Sequence, residues 1–220
     1  AFDPSRAGVQ GDPAWIAIAR GLSYPEVEFA PPPPPAPPLR VKDDFERYPV
    51  GAAPSKAQVH VEGKGDAIGV TEATAASGAK SLRIADAPGL QFAFNPHLVY
   101  SPGHGSGLST CRFALRIEAG SHLIHEWRSW DVEPYRVGPS FTVSGGQLHA
   151  PGQTPFELPV GEWIRVEVSA RVGADADGMW RLRIAVPGRP ERTIEGLRVG
   201  SSDFRNLTWI GWTSQATAAT

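Results

Sequence analysis

Among 220 residues there is one cysteine, Cys111, and one methionine, Met179. A single thiol forms no internal disulfide, so the fold is not a disulfide framework, and a zinc site built on thiolates is excluded. Cys111 sits in the alternating phrase CRFALRI and reads as a buried, inert thiol rather than a nucleophile. No apolar run approaches the ~20 residues that a membrane-spanning helix needs. Neither sign of charge dominates: 21 Lys and Arg against 23 Asp and Glu leave a net charge of -2. That balance gives no electrostatic footprint for nucleic acid or an anionic membrane. The glycine-rich SPGHGSG, Ser101 to Gly107, lacks the Lys-Ser/Thr and the following helix of a phosphate loop. The opening AFDPSRAGVQ holds neither an initiator Met nor a leader, and it reads as the middle of a longer chain.

Proline, by contrast, is abundant, with 22 residues, and much of it lies in APPPPPAPPL, Ala30 to Leu39. Proline fixes φ and has no amide hydrogen, so this run is expected to be a semi-rigid polyproline spacer rather than helix or central strand. Before it, Asp12 is placed to cap and Pro13 to start a short helix, Pro13 to Arg20, which Gly21 stops. A helix that short must dock on something, so residues 1–29 are expected to be the end of an upstream domain.

After the spacer the pattern is β throughout. AQVHVEG, KSLRIAD, GLQFAFN, STCRFALRIEAG, SHLIHEWRSW, PSFTVSG, EWIRVEVSARVG, MWRLRIAVPG, RTIEGLRVG and LTWIGWTS alternate or carry β-branched and aromatic residues. Turn signals such as Gly145-Gly146, Asp177-Gly178 and Pro187-Gly188 separate them. This spacing predicts an all-β fold, an antiparallel jelly-roll β-sandwich occupying residues 40–220. Trp209 and Trp212 are three apart, so one is expected in the core and the other on the surface.

From Asp43 onward the order of features resembles the concanavalin A-like lectin/glucanase superfamily, in particular its laminin-G-like accessory domains. DDFERYPVG resembles the first strand of such domains, ASGAKSLRIAD the Gly-Lys-Ser-Leu strand, and VGEWIRVEVSARVG the Gly-x-Trp strand. The segment FDPSRAGVQGDPAW resembles the exit of right-handed parallel β-helix proteins of bacterial surfaces. The resemblance implies a secreted bacterial protein, extracellular or at the cell surface, whose partners are a polysaccharide or glycan and its own upstream domain. It also implies a closing strand that the terminal SQATAAT does not supply, with Lys42 to Glu46 as the edge left open.

The densest cluster of chemistry-bearing side chains is HLIHEWRSWDVEPYR, His122 to Arg136. His125, Glu126, Trp127, Arg128, Trp130, Asp131, Tyr135 and Arg136 are the candidate carbohydrate contacts. Aromatic plates pack on sugar C–H faces, and planar polar groups bond hydroxyls directionally. Alternation puts His125 and Trp127 on one strand face and Glu126 and Arg128 on the other. An opposing reading has Glu126–Arg128 as a surface pair and Trp127 in the core. Laminarinase-type enzymes of this superfamily carry Glu-x-Asp-x-x-Glu on one strand. Here Glu126, Asp131 and Glu133 depart from that spacing, and Pro134 ends the strand. His122 and His125, three apart, suit no zinc site. For Ca²⁺ the candidates are Asp175 and Asp177, with Asp43, Asp44 and Glu46 as a second set, each also readable as a plain turn. The expected function is a non-catalytic carbohydrate-binding accessory domain with no cofactor beyond Ca²⁺. The alternatives are a structural spacer or cap without a ligand, and a glycoside hydrolase or polysaccharide lyase component.

Overall fold

The computed structural model describes residues 38–215. The expected helix Pro13–Arg20 and all but the end of the proline-rich run lie outside the described residues. Leu39, where that run ends, is tied to the folded unit. Its amide donates to the Pro102 carbonyl at 2.7 Å, and its own carbonyl lies 3.0 Å from His104 Nε2.

The fold is all-β and antiparallel. Among the described residues there are thirteen strands: β1 (Gln58–His60), β2 (Ala67–Thr71), β3 (Ser81–Ala85), β4 (His97–Tyr100), β5 (Gly107–Arg116), β6 (His122–Ser129), β7 (Arg136–Ser144), β8 (Gln147–His149), β9 (Phe156–Glu157), β10 (Trp163–Val172), β11 (Met179–Ala185), β12 (Arg192–Arg198) and β13 (Trp209–Ser214). A seven-stranded sheet runs β1-β4-β13-β6-β7-β8-β9, a four-stranded sheet β12-β11-β10-β5, and β2 and β3 form a separate ribbon. Among the described residues no helix is long and apolar enough to cross a membrane.

Alternation builds the two large sheets, with register shifts at Glu126/Arg128 and Trp180/Leu182. In β11 Trp180, Leu182 and Ile184 face inward, and in β10 Ile164, Val166, Val168 and Ala170 do the same. Trp127, Phe141, Val143 and Leu148 of the seven-stranded sheet belong to the same buried cluster, so the core lies between the sheets. This is the β-sandwich arrangement. Cys111 faces that core, and burial pushes its thiol up to about 12. Trp212 packs on the core while Trp209 stands on the opposite face of β13.

Two expected strands are absent. DDFERYPVG folds as turns: Asp43 Oδ1 accepts the Phe45 amide and Asp44 Oδ1 the Glu46 amide, both at 3.2 Å, and Phe45 has φ 64°. Carboxylates that bond the amide two residues on favour an Asx turn over a ladder. Lys42 to Glu46 is therefore not a strand edge. GLQFAFN is likewise irregular, because Glu62 draws the Gln91 and Phe92 amides to its carboxylate at 2.6 and 2.9 Å.

The inner face of the seven-stranded sheet carries one buried polar device. His125 is fully buried among the rings of Phe113, Phe141 and Trp212, whose centroids lie 5.1, 5.3 and 4.8 Å away. Its Nε2 accepts the Trp127 indole N–H at 3.1 Å, which places the proton on Nδ1 for donation to the Gly211 carbonyl at 3.0 Å. Both ring nitrogens are satisfied only in the neutral form, and burial depresses the imidazole to about 3.

Two outcomes follow. The unfolded chain takes up a proton at His125 near pH 6.5 that the folded chain refuses until about pH 3, so stability falls as pH drops through that window. Denaturation midpoints measured from pH 7.5 to 5 should decline, and His125→Phe should flatten the decline while lowering stability at pH 7.5 by ~1–3 kcal/mol for each of its two orphaned partners. An equally steep decline in the variant would contradict this assignment. Trp127→Ala, which truncates a side chain with 0% exposure, should cost ~3–5 kcal/mol in chemical denaturation.

Candidate functional site

The outward face of the seven-stranded sheet gathers residues from β1, β4, β13 and β6. Pairing sets the lattice: His60 opposes His97, His97 opposes Thr213, Gly211 opposes both Val99 and Glu126, and Trp209 opposes Arg128. All of these stand on the side away from His125, Trp127 and Trp212.

At one end the His60 and His97 rings stack 4.2 Å apart, 10° from parallel. His97 Nδ1 lies 2.9 Å from Asn95 Oδ1, while Asn95 Nδ2 donates to Glu62 Oε1 at 3.1 Å. The carboxylate fixes the amide orientation, so Asn95 offers oxygen to the ring. Nδ1 then carries the proton and Nε2 presents a lone pair. Burial depresses His97 to about 4, with the charges of His60 and Arg128 adding to the effect against a bond to the Phe94 backbone. Glu62 is held down to about 2, chiefly by the Gln91 amide, then by the Phe92 amide, Asn95 and Lys64, against partial desolvation. The exposed rings of Phe92 and Phe94 stack at 5.2 Å, and Phe94 meets His97 edge-on at 5.7 Å.

At the other end the Arg128 guanidinium lies 4.2 Å from the Trp209 ring centroid, 4.7 Å from Tyr135 and 5.3 Å from Trp130. Trp130 and Tyr135 stack at 4.7 Å and Trp130 and Trp209 at 6.4 Å. Trp130 is 54% and Tyr135 39% exposed. Among the described residues the guanidinium makes one hydrogen bond, from Nε to Glu126 Oε1. The charge is thus held over an aromatic wall with its terminal N–H groups pointing away from that bond.

Gly211 sits between the two ends. A Cβ there would meet the Trp209 indole at 1.9 Å. The absent side chain lets the indole lie across the strand, where its face meets Arg128.

The eight residues expected to contact sugar are divided by the structure. His125 and Trp127 face the core and are closed to a ligand. Glu126, Arg128, Trp130 and Tyr135 share the outward cluster. Asp131 bonds Ser129 Oγ and Asn206 Nδ2, each at 3.0 Å, and Arg136 pairs with Asp203, so both anchor the loop that carries Trp130 and Tyr135. His60, Asn95 and His97 were not anticipated. They lie far from Arg128 in sequence and reach it only through the β1–β4–β13–β6 order; the phrase NPH carries no signal of its own. Asp175 lies in a single 3-10 turn and Asp177 Oδ1 caps the Met179 amide at 2.9 Å, both as turn residues. Asp43, Asp44 and Glu46 bond amides of their own turn and of Ala79 and Lys80. Among the described residues no three His, Cys, Asp or Glu side chains converge in a metal-holding group.

No family model matches this sequence. No curated protein matches it. Among solved structures it is similar to an endo-β-1,4-glucuronan lyase from the fungus Trichoderma reesei, at 11% identity and a TM-score of 0.49, over 76% of this chain and 82% of that one. No residue role is carried over from that protein. That protein is a lyase by its name, whereas the expectation from the sequence was a non-catalytic carbohydrate-binding domain. The non-catalytic reading is withdrawn, and the burial of His125 and Trp127 removes two of the side chains on which it rested.

Gly211→Ala should lift the Trp209 indole off the sheet and break its stack with Arg128. A changed tryptophan emission spectrum with the sandwich still folded is the expected result. An unchanged spectrum would show that the indole has room that the geometry denies it.

Proposed function

We propose that this chain cleaves an acidic polysaccharide by β-elimination at the outward face of the seven-stranded sheet. The carrying observation is the pairing, on one face, of a histidine kept unprotonated at neutral pH with an arginine set over aromatic rings. Elimination next to a uronate carboxylate needs a cation on the carboxylate and a base for the proton on the carbon that bears it. Arg128 fits the first role through its terminal N–H groups. His97 Nε2 fits the second, and a uronate carboxylate brought alongside would raise its basicity from about 4 towards neutrality. The proton passes to His97, a carbon–carbon double bond forms, and the glycosidic oxygen leaves with its bonding pair, taking a proton from Tyr135 or from water. Trp130, Tyr135 and Trp209 form the plate on which the sugar ring rests.

Hydrolysis fits less well. A glycosidase needs one carboxyl protonated at working pH as its acid. On this face the Glu126 carboxylate is occupied by Arg128, and Glu62 is held at about 2.

The finer features belong to the same reading. The sandwich is a jelly roll of the concanavalin A-like kind working extracellularly or at the cell surface, and residues 30–39 space it from an upstream domain that ends within residues 1–29.

Polyglucuronate, alginate, polygalacturonate and the neutral glucans cellulose and laminarin, each incubated with purified protein, would test it. The expected result is the ultraviolet absorbance of an unsaturated uronic end from at least one acidic polymer and none from the glucans. His97→Ala should lower kcat by roughly 10²–10⁴. His60→Ala should move the acid limb of the pH profile upward, since the His60 charge opposes protonation of His97. Plain reducing ends without unsaturation, no product from any acidic polymer, or full activity in His97→Ala would refute the reading.

A further inference from the structure

The far side of the molecule, the outward face of the four-stranded sheet, has a different character. Every basic side chain after Lys80, apart from histidine, is an arginine. Strand alternation and pairing bring seven of them to this face: Arg112 and Arg116 from β5, Arg165 and Arg171 from β10, Arg181 and Arg183 from β11, and Arg198 from β12. Four carboxylates answer them, Glu167 and Glu195 on the face and Glu118 and Glu191 reaching in from its margins. The face therefore holds an excess of three positive charges in a chain whose net charge is -2.

Its centre is organised. Glu167, with its side chain 11% exposed, bonds Arg112 and lies 3.5 Å from Arg181 and 3.6 Å from Arg183, so one carboxylate fixes three guanidinia. Those arginines hold its pKa below the ordinary carboxylate range against the opposing effect of burial. Around this centre Arg165, Arg171 and Arg198 are exposed and form no ion pair among the described residues. Arg165 and Arg171 bracket Glu167 on the same strand, about 20 Å apart at the usual rise per residue. At about 20 Å these two exposed guanidinia are largely screened from each other, but an anionic chain laid along β10 would offer oxygen acceptors to each and draw on the positive field of the face.

We infer that this arginine face is a second binding surface, which holds a stretch of acidic polysaccharide away from the elimination site. The charge and its arrangement stand independently; only the choice of polymer rests on the proposed function. Long chains would gain from simultaneous contact with both faces, because engaging one raises the effective concentration at the other.

The test is electrophoresis of folded protein through gels containing polyglucuronate or alginate, run over a salt series in both the wild type and a His97→Ala background. Arg165→Ala/Arg171→Ala/Arg198→Ala should lose at least tenfold in affinity with a shallower salt dependence, keep its melting temperature, and cleave short oligosaccharides at the wild-type rate. The triple lysine variant should retain most of the retardation, since charge is kept. The same loss in the His97→Ala background would uphold the surface even if no polymer were cleaved. Equal retardation of wild type and triple alanine variant would overturn the inference, as would tighter binding to duplex DNA or to anionic vesicles than to the acidic polymers at equal salt.

Discussion

The position of β13 between β4 and β6 is the constraint on which the rest depends. This strand, Trp209–Ser214, is the last in sequence among the described residues, and it completes the middle of the seven-stranded sheet rather than an edge. Its inward side holds Ile210 and Trp212 against the core, and its Gly211 carbonyl receives the His125 proton. Its outward side holds Trp209 over the bare Gly211 backbone. Without this strand β4 and β6 would not be joined in one sheet, and His97 and Arg128 would share neither a face nor an electrostatic interaction.

The two histidines that pair with β13 show how environment divides one residue type. Both are kept neutral, and in both burial is the leading cause. His125 has both nitrogens engaged within the protein and serves packing. His97 has one nitrogen engaged by Asn95, itself set by Glu62, and stands on the outward face of the sheet. The carboxylate–amide–imidazole relay fixes a tautomer without placing a charge beside the ring.

The two sheets also divide the molecule electrically. The seven-stranded face mixes aromatic rings, imidazoles and a single Glu126–Arg128 pair. The four-stranded face is a lattice of guanidinia centred on the Glu167 carboxylate, with fewer carboxylates than guanidinia. A net charge near zero hides this segregation, because summing over the chain cancels what the strands sort onto opposite sides.

Much of the fold was legible in the sequence. Alternation in EWIRVEVSARVG and MWRLRIAVPG, with turn signals between, is a local property of the chain, and it pointed to the antiparallel β class and to opposite faces for Trp209 and Trp212, without saying which of the two is in the core. It also split His125 and Trp127 from Glu126 and Arg128. Two strands were over-read where Asp43, Asp44 and Glu62 capture backbone amides, the last across 29 residues for Gln91. What alternation leaves undetermined is which strand neighbours which. A period of two assigns each side chain a face but gives no sheet order. Only tertiary pairing set His60 on His97, brought His97 within the field of Arg128, and drew arginines from four separate strands into one field.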